Sequence, residues 1–172
     1  HTGVDLFGGA EHGCTGKAVF SGGATMDVAD DMFLAGLTGR DNANGEVIVY
    51  DATLDVNDIL YIGRANSCTG TLTLAHAQVN TGDLFLTYGG GGKGTVNLLE
   101  GELYITKSSA SDNNIRIEGD GSINFEKGVL SWNDNTTTDE LEAWWVDGTF
   151  TATKNGANPN SLTNTLLTTV SY

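Results

Sequence analysis

Residues 45–56 read Gly-Glu-Val-Ile-Val-Tyr-Asp-Ala-Thr-Leu-Asp-Val, residues 70–81 Gly-Thr-Leu-Thr-Leu-Ala-His-Ala-Gln-Val-Asn-Thr, and residues 94–105 Gly-Thr-Val-Asn-Leu-Leu-Glu-Gly-Glu-Leu-Tyr-Ile. One frame fits all three, and it also fits the stretches that begin at Gly16 and Gly121. The starts lie 29, 25, 24 and 27 residues apart. A repeat of that period marks a stacked architecture in which no unit buries its apolar face alone.

After each leading Gly two alternate positions are apolar: Ala18/Phe20, Val47/Val49, Leu72/Leu74, Val96/Leu98 and Ile123/Phe125. Val19, Ile48, Thr73, Asn97 and Asn124 lie between them and face outward in this reading. Period-2 alternation predicts a half-buried strand. A second strand follows at Met26/Val28, Leu54/Val56, Val79/Thr81, Leu103/Ile105 and Leu130/Trp132. A third reads Met32–Leu34, Ile59–Ile62, Leu84–Leu86 and Ile115–Ile117, with Gly36, Gly63, Gly89 and Gly119 just beyond it where the chain turns.

Three strands and three turns per unit make one coil of a parallel β-solenoid, with like columns stacking at about 4.8 Å per rung. β-Branched residues dominate and no 3.6-residue stripe appears, which excludes a helical repeat. The crossover rule makes the coil right-handed. The expected fold is therefore all-β: a right-handed parallel β-solenoid of about five rungs in one domain. Val4–Gly8 matches a third strand and its turn, so residues 1–15 form an incomplete N-terminal rung and residues 16–132 the repeats.

Residues 133–172 break the pattern. Thr137 and Glu140 form a capping box ahead of a short helix over about Thr138–Asp147. Its Trp144 and Trp145 are expected on the last rung, since solenoid ends need a cap. Two Thr-rich strands follow, Thr149–Thr153 and Ser161–Tyr172.

Units of the form Gly-x-Leu/Val-x-Leu/Phe, repeated from Gly45 onward, resemble the autotransporter-type β-strand repeats of bacterial secreted proteins. The stretch Ile123–Trp132 together with Asp139–Ala152 resembles the ending of exoproteins sorted by a PEP-CTERM signal. The resemblance covers roughly Gly45 to Ala152. It implies an extracellular or cell-surface β-solenoid without a catalytic role. The sorting signal itself is not in this sequence.

Composition narrows the partners. Twenty-two acidic against eight basic side chains give a net charge of −14, which disfavours nucleic acid and anionic membranes. No apolar run is long enough to span a bilayer as a helix. The chain opens at His1 without Met, on residues that already read as folded sequence, as expected of a processed terminus.

Candidate chemistry is sparse. His1 with His12 or His76 could bind copper, but that chemistry belongs to another fold. Cys14 and Cys68 share a Cys-Thr-Gly context two rungs apart, roughly 10 Å by stacking and beyond disulfide reach. Secreted cysteines nevertheless pair. An intrachain bond with Cys14 looped out, two packed thiols and an intersubunit link all stay open.

Asp30/Asp31, Asp41 and Asn133/Asp134/Asn135/Asp139 could ligate a cation, yet none follows a calcium-loop pattern. Gly89–Gly94 lacks the Asp of a calcium roll and the spacing of a P-loop. No metal or cofactor is therefore expected. Asn135-Thr136-Thr137 is a candidate N-glycosylation sequon. Acidic residues are scattered, without the paired cleft of a polysaccharide-active enzyme. The outward column Lys17, Glu46, Thr71, Thr95, Ser122 is not the uniform Thr array that ice binding needs.

The expected function is structural: an extracellular solenoid that self-associates, head to tail, into a filament or surface layer. The expected association surface comprises Phe33, Leu60, Ile62 and Phe85 on the third strand with Leu162, Leu166, Leu167 and Val170 in the last segment. A carbohydrate-binding or adhesive module is the alternative, with glycans as partners, and a polysaccharide-active enzyme is third.

Overall fold

A computed structural model describes residues 6–8, 12–36, 41–89, 91–107, 114–132 and 138–152, with backbone alone for 6–8 and 138–141. His1, Asn133, Asp134, Asn135, Leu162, Leu166, Leu167 and Val170 lie outside the described residues. The chain is a parallel β-solenoid of about four turns with one short helix.

Its first face stacks β2 (Thr15–Ser21), β5 (Asn44–Tyr50), the first parts of β7 (Thr69–Leu86) and β8 (Lys93–Ile105), β10 (Ser122–Phe125) and β12 (Phe150–Ala152). The second face stacks β3 (Thr25–Val28), β6 (Thr53–Ile62), the middle of β7, the end of β8 and β11 (Val129–Trp132). The third stacks β1 (Leu6–Gly8), β4 (Met32–Leu34), the ends of β6 and β7, and β9 (Ile115–Ile117). All pairings are parallel, so a position in one coil lies over the same position in the next.

The columns expected for the first two faces are observed. Val47, Leu72, Val96 and Ile123 stack in register, and each is no more than 2% exposed. Leu54, Val79 and Leu103 do the same on the second face, all at 0%. The leading Gly has a steric cause. A Cβ at Gly70 or Gly94 would collide with the carbonyl of Leu34 or Ile62, because the incoming strand crosses close to the preceding third strand. The glycines after the third strand, Gly36, Gly63, Gly89 and Gly119, all have positive φ (82°, 71°, 89° and 52°).

The third face corrects the expected register. Met32, Leu60 and Leu84 form one column, and Phe33, Tyr61 and Phe85 the other. Leu60 and Ile62, expected on an outer association surface, are core residues with 0% exposure. An irregularity between Val56 and Ile59 puts Ile59 opposite Asp83, one residue out of the simple alignment. Because Ile59–Ile62 is apolar throughout, alternation gave no phase there.

The cysteines occupy equivalent positions two rungs apart, with Ala43 between them. The Asn44 N–H donates to Cys14 O at 2.7 Å and the Thr69 N–H to Ala43 O at 2.9 Å. Both are thiols: Cys14 is exposed, and Cys68 is buried with Ala35, Ala43 and Ala65 in a small satellite core. Regular stacking two rungs apart favours two thiols over the intrachain bond.

The ends differ. Helix α1 (Thr138–Val146) closes the C-terminal end where a capping helix was expected. Trp144 lies 5.1 Å from Phe150 by ring centroids, and Trp145 5.7 Å from Phe125 and 5.6 Å from Phe150. Phe150, on the last rung, is therefore only 3% exposed. At the N-terminal end Ala18, Phe20 and Met26 hold the same inward positions and are only partly buried. Among the described residues β2 pairs with β5 alone and β3 with β6 alone.

Leu72→Asp places a carboxyl group, held protonated by burial and without a hydrogen-bond partner, in the middle of a fully buried column. The expected cost is about 2–7 kcal/mol, against a typical total stability of about 5–15 kcal/mol. Urea unfolding followed by circular dichroism should show loss of the cooperative transition. Thr73→Ser, on the outer side of the same strand, should melt within about 0.5 kcal/mol of wild type.

Candidate functional site

Two surface constellations stand out from the polar background. The first lies on the second face, where the outward column runs Asp27, Asp55, Asn80, Tyr104, Ser131. An open groove of about 490 Å³ follows this column, lined among others by Asp27, Asp55, Asn57, Asn80 and Thr106. Asp27 and Asp55 are direct neighbours on adjacent strands, an arrangement of like charges that opposes pairing. Asn80 relieves part of this. Its Nδ2 donates to Asp55 Oδ1, while its Oδ1 accepts from Gln78 Nε2 at 3.1 Å. Asn80 and Gln78 thus each spend one amide donor within the column, and Asp27 and Asp55 give the groove an acidic, acceptor-bearing wall.

Beside the groove, at the corner between second and third faces, Asp30, Asp31 and Asp58 bring one carboxylate oxygen each within 4.8 Å of one another. Asp30 and Asp31 were candidates from the sequence; Asp58 joins them from the next coil. The Ile59 N–H donates to Asp31 Oδ1 at 3.0 Å, which holds the irregular stretch of β6. Lys107 brings a positive charge, with Nζ bonded to Asp58 and 3.1 Å from Asp83 Oδ2. Burial alone would lower the Lys107 pKa. Its bonds to Asp58 and Asp83, and their charges, more than offset this and hold it above the ordinary lysine value.

The corner therefore reads as an ion network that draws on four successive coils. Asp41, another candidate ligand, stands apart, its N–H donating to His12 Nδ1 at 3.1 Å. His76 instead faces Glu100, with 3.5 Å between Nε2 and Oε2.

The second constellation covers the third face. Phe33 and Tyr61 stack with centroids 4.7 Å apart and planes at 6°, and Phe85 meets Tyr61 edge-on at 5.4 Å. Arg64 lays its guanidinium 4.3 Å from the Tyr61 ring centre and 5.3 Å from that of Phe33. Arg116 sits 4.8 Å from the Tyr88 ring. These are cation–π distances.

The outward aromatic column is thus covered, among the described residues, by arginines and Tyr88 of its own chain. Phe33 is 4% exposed and Tyr61 6%. Burial raises the Tyr61 pKa; Arg64 pulls it down, and Asp31, Tyr88 and Asp58 add to the rise. Of the expected association residues, Phe33 and Phe85 belong to this stack. Arg64 and Tyr88 were missed because each sits in a turn after the repeat, where no column signals it.

No family model, curated protein or solved structure matches the chain, so the comparisons identify neither the autotransporter-type repeat nor the PEP-CTERM-sorted class. What stands is the class that the fold defines, a parallel β-solenoid repeat protein. Among the described residues no helix is long and apolar enough to cross a membrane.

The Lys107 network gives a pH signature. A lysine pKa raised by folding stabilises fully below its unfolded value, and that contribution disappears as pH rises through the raised folded value. Lys107→Met should lower stability by about 0.5–1 kcal/mol near neutrality, a modest figure because Lys107 is 42% exposed. Denaturant titrations at increasing pH should show the gap between the two proteins closing on the alkaline side of the ordinary lysine range. A gap that persists there would contradict the assignment.

Proposed function

We propose that this chain is a structural β-solenoid that acts outside the cell or on its surface and self-associates end on. The observation that carries this reading is the N-terminal rung, which has no outer neighbour for β2 and β3 among the described residues. Ala18, Phe20 and Met26 are partly exposed, whereas Val47, Val49 and Leu54, one coil further in, are at most 2% exposed. An open parallel edge above a half-exposed core is a template for another strand. The association surface therefore moves from the third face to the end of the coil. The expected head-to-tail order is one way to use that end.

A glycan-binding role is the second reading, supported by the acceptor-bearing groove along Asp27, Asp55 and Asn80. It would favour neutral, hydroxyl-rich chains over anionic ones, given the net charge of −14. Saturable binding on a glycan array, lost in Asp55→Ala, would promote it over self-association.

Sedimentation velocity over a concentration series tests the lead reading. Wild type should sediment above the monomer mass as concentration rises. Val19→Pro should remain monomeric with an unchanged melt. Val19 is 55% exposed, and proline at an edge position whose N–H faces outward removes no ladder bond. A wild type that stays monomeric at high concentration, or a Val19→Pro variant that assembles like wild type, would overturn the reading.

A further inference from the structure

We infer that the outer side of the first face binds a neutral, hydroxyl-rich polysaccharide chain, laid along the coil axis across β7, β8 and β10. The inference uses neither end of the coil nor the groove on the second face. Three observations carry it.

The first is a regular array. Along β7 the core residues Leu72 and Leu74 alternate with half-buried Thr71 and Thr73 on the outer side. Strand β8 repeats this with Thr95 and Asn97, and β10 with Ser122 and Asn124. Thr71 lies over Thr95 and Thr95 over Ser122, while Thr73 lies over Asn97 and Asn97 over Asn124. The register breaks between β7 and β8 come only after Leu74. Two columns of three hydroxyl or amide side chains therefore stand on one sheet. They are spaced about 4.8 Å along the axis and about 6.6 Å along the strand.

The second is unused hydrogen-bonding capacity in groups already held in place. Asn97 Nδ2 donates to Thr73 Oγ1 at 3.3 Å, Asn124 Nδ2 donates to Asn97 Oδ1 at 2.8 Å, and Thr151 Oγ1 donates to Asn124 Oδ1. An amide has two N–H donors and an oxygen with two lone pairs. Stacking engages one donor and one lone pair of each Asn and fixes the amide plane. Among the described residues the other donor and lone pair of each have no partner. Groups oriented in advance lose little freedom on binding.

The third is charge, and it selects the occupant. The chain carries −14, yet the first-face parts of β7, β8 and β10 have no carboxylate. Glu46 on β5, the one carboxylate in the strands of this face, is paired with Lys17 at 2.8 Å. A polyanion is repelled by the chain as a whole, and a polycation finds no free carboxylate here. A second copy fits poorly too. Facing sheets cross at about 30°, so two sets of fixed amides would fall out of step and leave buried groups without partners. Sugar hydroxyls rotate and serve as donor or acceptor, and a sugar polymer presents them at every unit along the columns. Tyr50 on the neighbouring strand β5 is 47% exposed and adds a ring for the apolar side of a sugar unit.

Affinity electrophoresis in native gels tests this, with hydroxyethylcellulose, galactomannan or dextran as neutral polymers and alginate as the polyanion. Wild type should be retarded by at least one neutral polymer and not by alginate. Thr95→Glu puts a carboxylate into the array, and Asn97→Ser removes an amide while keeping a hydroxyl in the stack. Each should weaken the retardation about tenfold in apparent affinity. Thr25→Glu, which adds the same charge on the second face, should not. Melts followed by circular dichroism check that the variants are folded.

No retardation by any of the neutral polymers, or equal retardation by alginate, would overturn the inference. Binding lost in Asp55→Ala and kept in Thr95→Glu would also overturn it, and would leave the groove reading standing. Wild-type self-association in sedimentation that Thr95→Glu abolishes would give the face to a second copy and overturn it as well. If Thr95→Glu is misfolded, Asn97→Ser decides: a folded Asn97→Ser chain retarded like wild type overturns the inference.

Discussion

Parallel stacking in register, interrupted at short irregular steps such as that after Val56, is the constraint from which the rest of this structure follows. Every side chain has a counterpart about 4.8 Å above it and another below, so each position must be compatible with copies of its own kind. Apolar columns meet this condition most easily, and the inward columns through Leu72 and Val79 are the result. Small hydroxyl and amide side chains meet it by bonding along the axis. On the outer first face Asn97 donates to Thr73 and Asn124 to Asn97, and this ladder needs no charge. Charges meet it only with help. Lys17 lies over Glu46, Asn80 bonds Asp55, and Lys107 neutralises carboxylates from two other coils. Much of the polar surface is organised by this requirement rather than by a ligand.

The same constraint makes the ends the weak points. An interior rung has its backbone groups and apolar atoms covered on both sides, whereas a terminal rung has one side bare. The C-terminal end answers with a change of structure, an aromatic helix laid against the last rung. The N-terminal end covers its third face with β1, which pairs β4 and accompanies the burial of Met32 and Leu34. It leaves β2 and β3 without an outer neighbour among the described residues. At the C-terminal side too, Ile117, Leu130 and Trp132 hold inward positions and are only partly buried.

The first two faces were legible in the sequence because apolar and polar residues alternate there, so the pattern carries its own phase. The third was legible as a strand but not in phase. Ile59-Leu60-Tyr61-Ile62 is apolar at every position, and the irregular step after Val56 shifts the register by one. That is why Leu60 and Ile62 were expected outside and lie in the core, while Tyr61 faces out. Capping by α1 was legible from Thr137 and Glu140 and from the paired tryptophans. The Asp30/Asp31/Asp58 corner was half visible. Asp58, Asp83 and Lys107 sit in or next to turns at different places in the repeat, and only three-dimensional winding brings them together. Arg64 over Tyr61 was hidden for the same reason.

The central claim is that stability is distributed by rung, from a fully covered middle to an open N-terminal edge. Native-state hydrogen exchange on dilute, monomeric protein measures this directly, since each amide reports the free energy of the opening that exposes it. The account predicts the slowest exchange in β7 and β8, at amides such as Leu72, Leu74, Val96 and Leu98. The fastest strand amides should be those of β2 at Lys17, Val19 and Ser21, with β5 between the two. Protection of β2 equal to that of β7 in the monomer would contradict the open-ended coil described here.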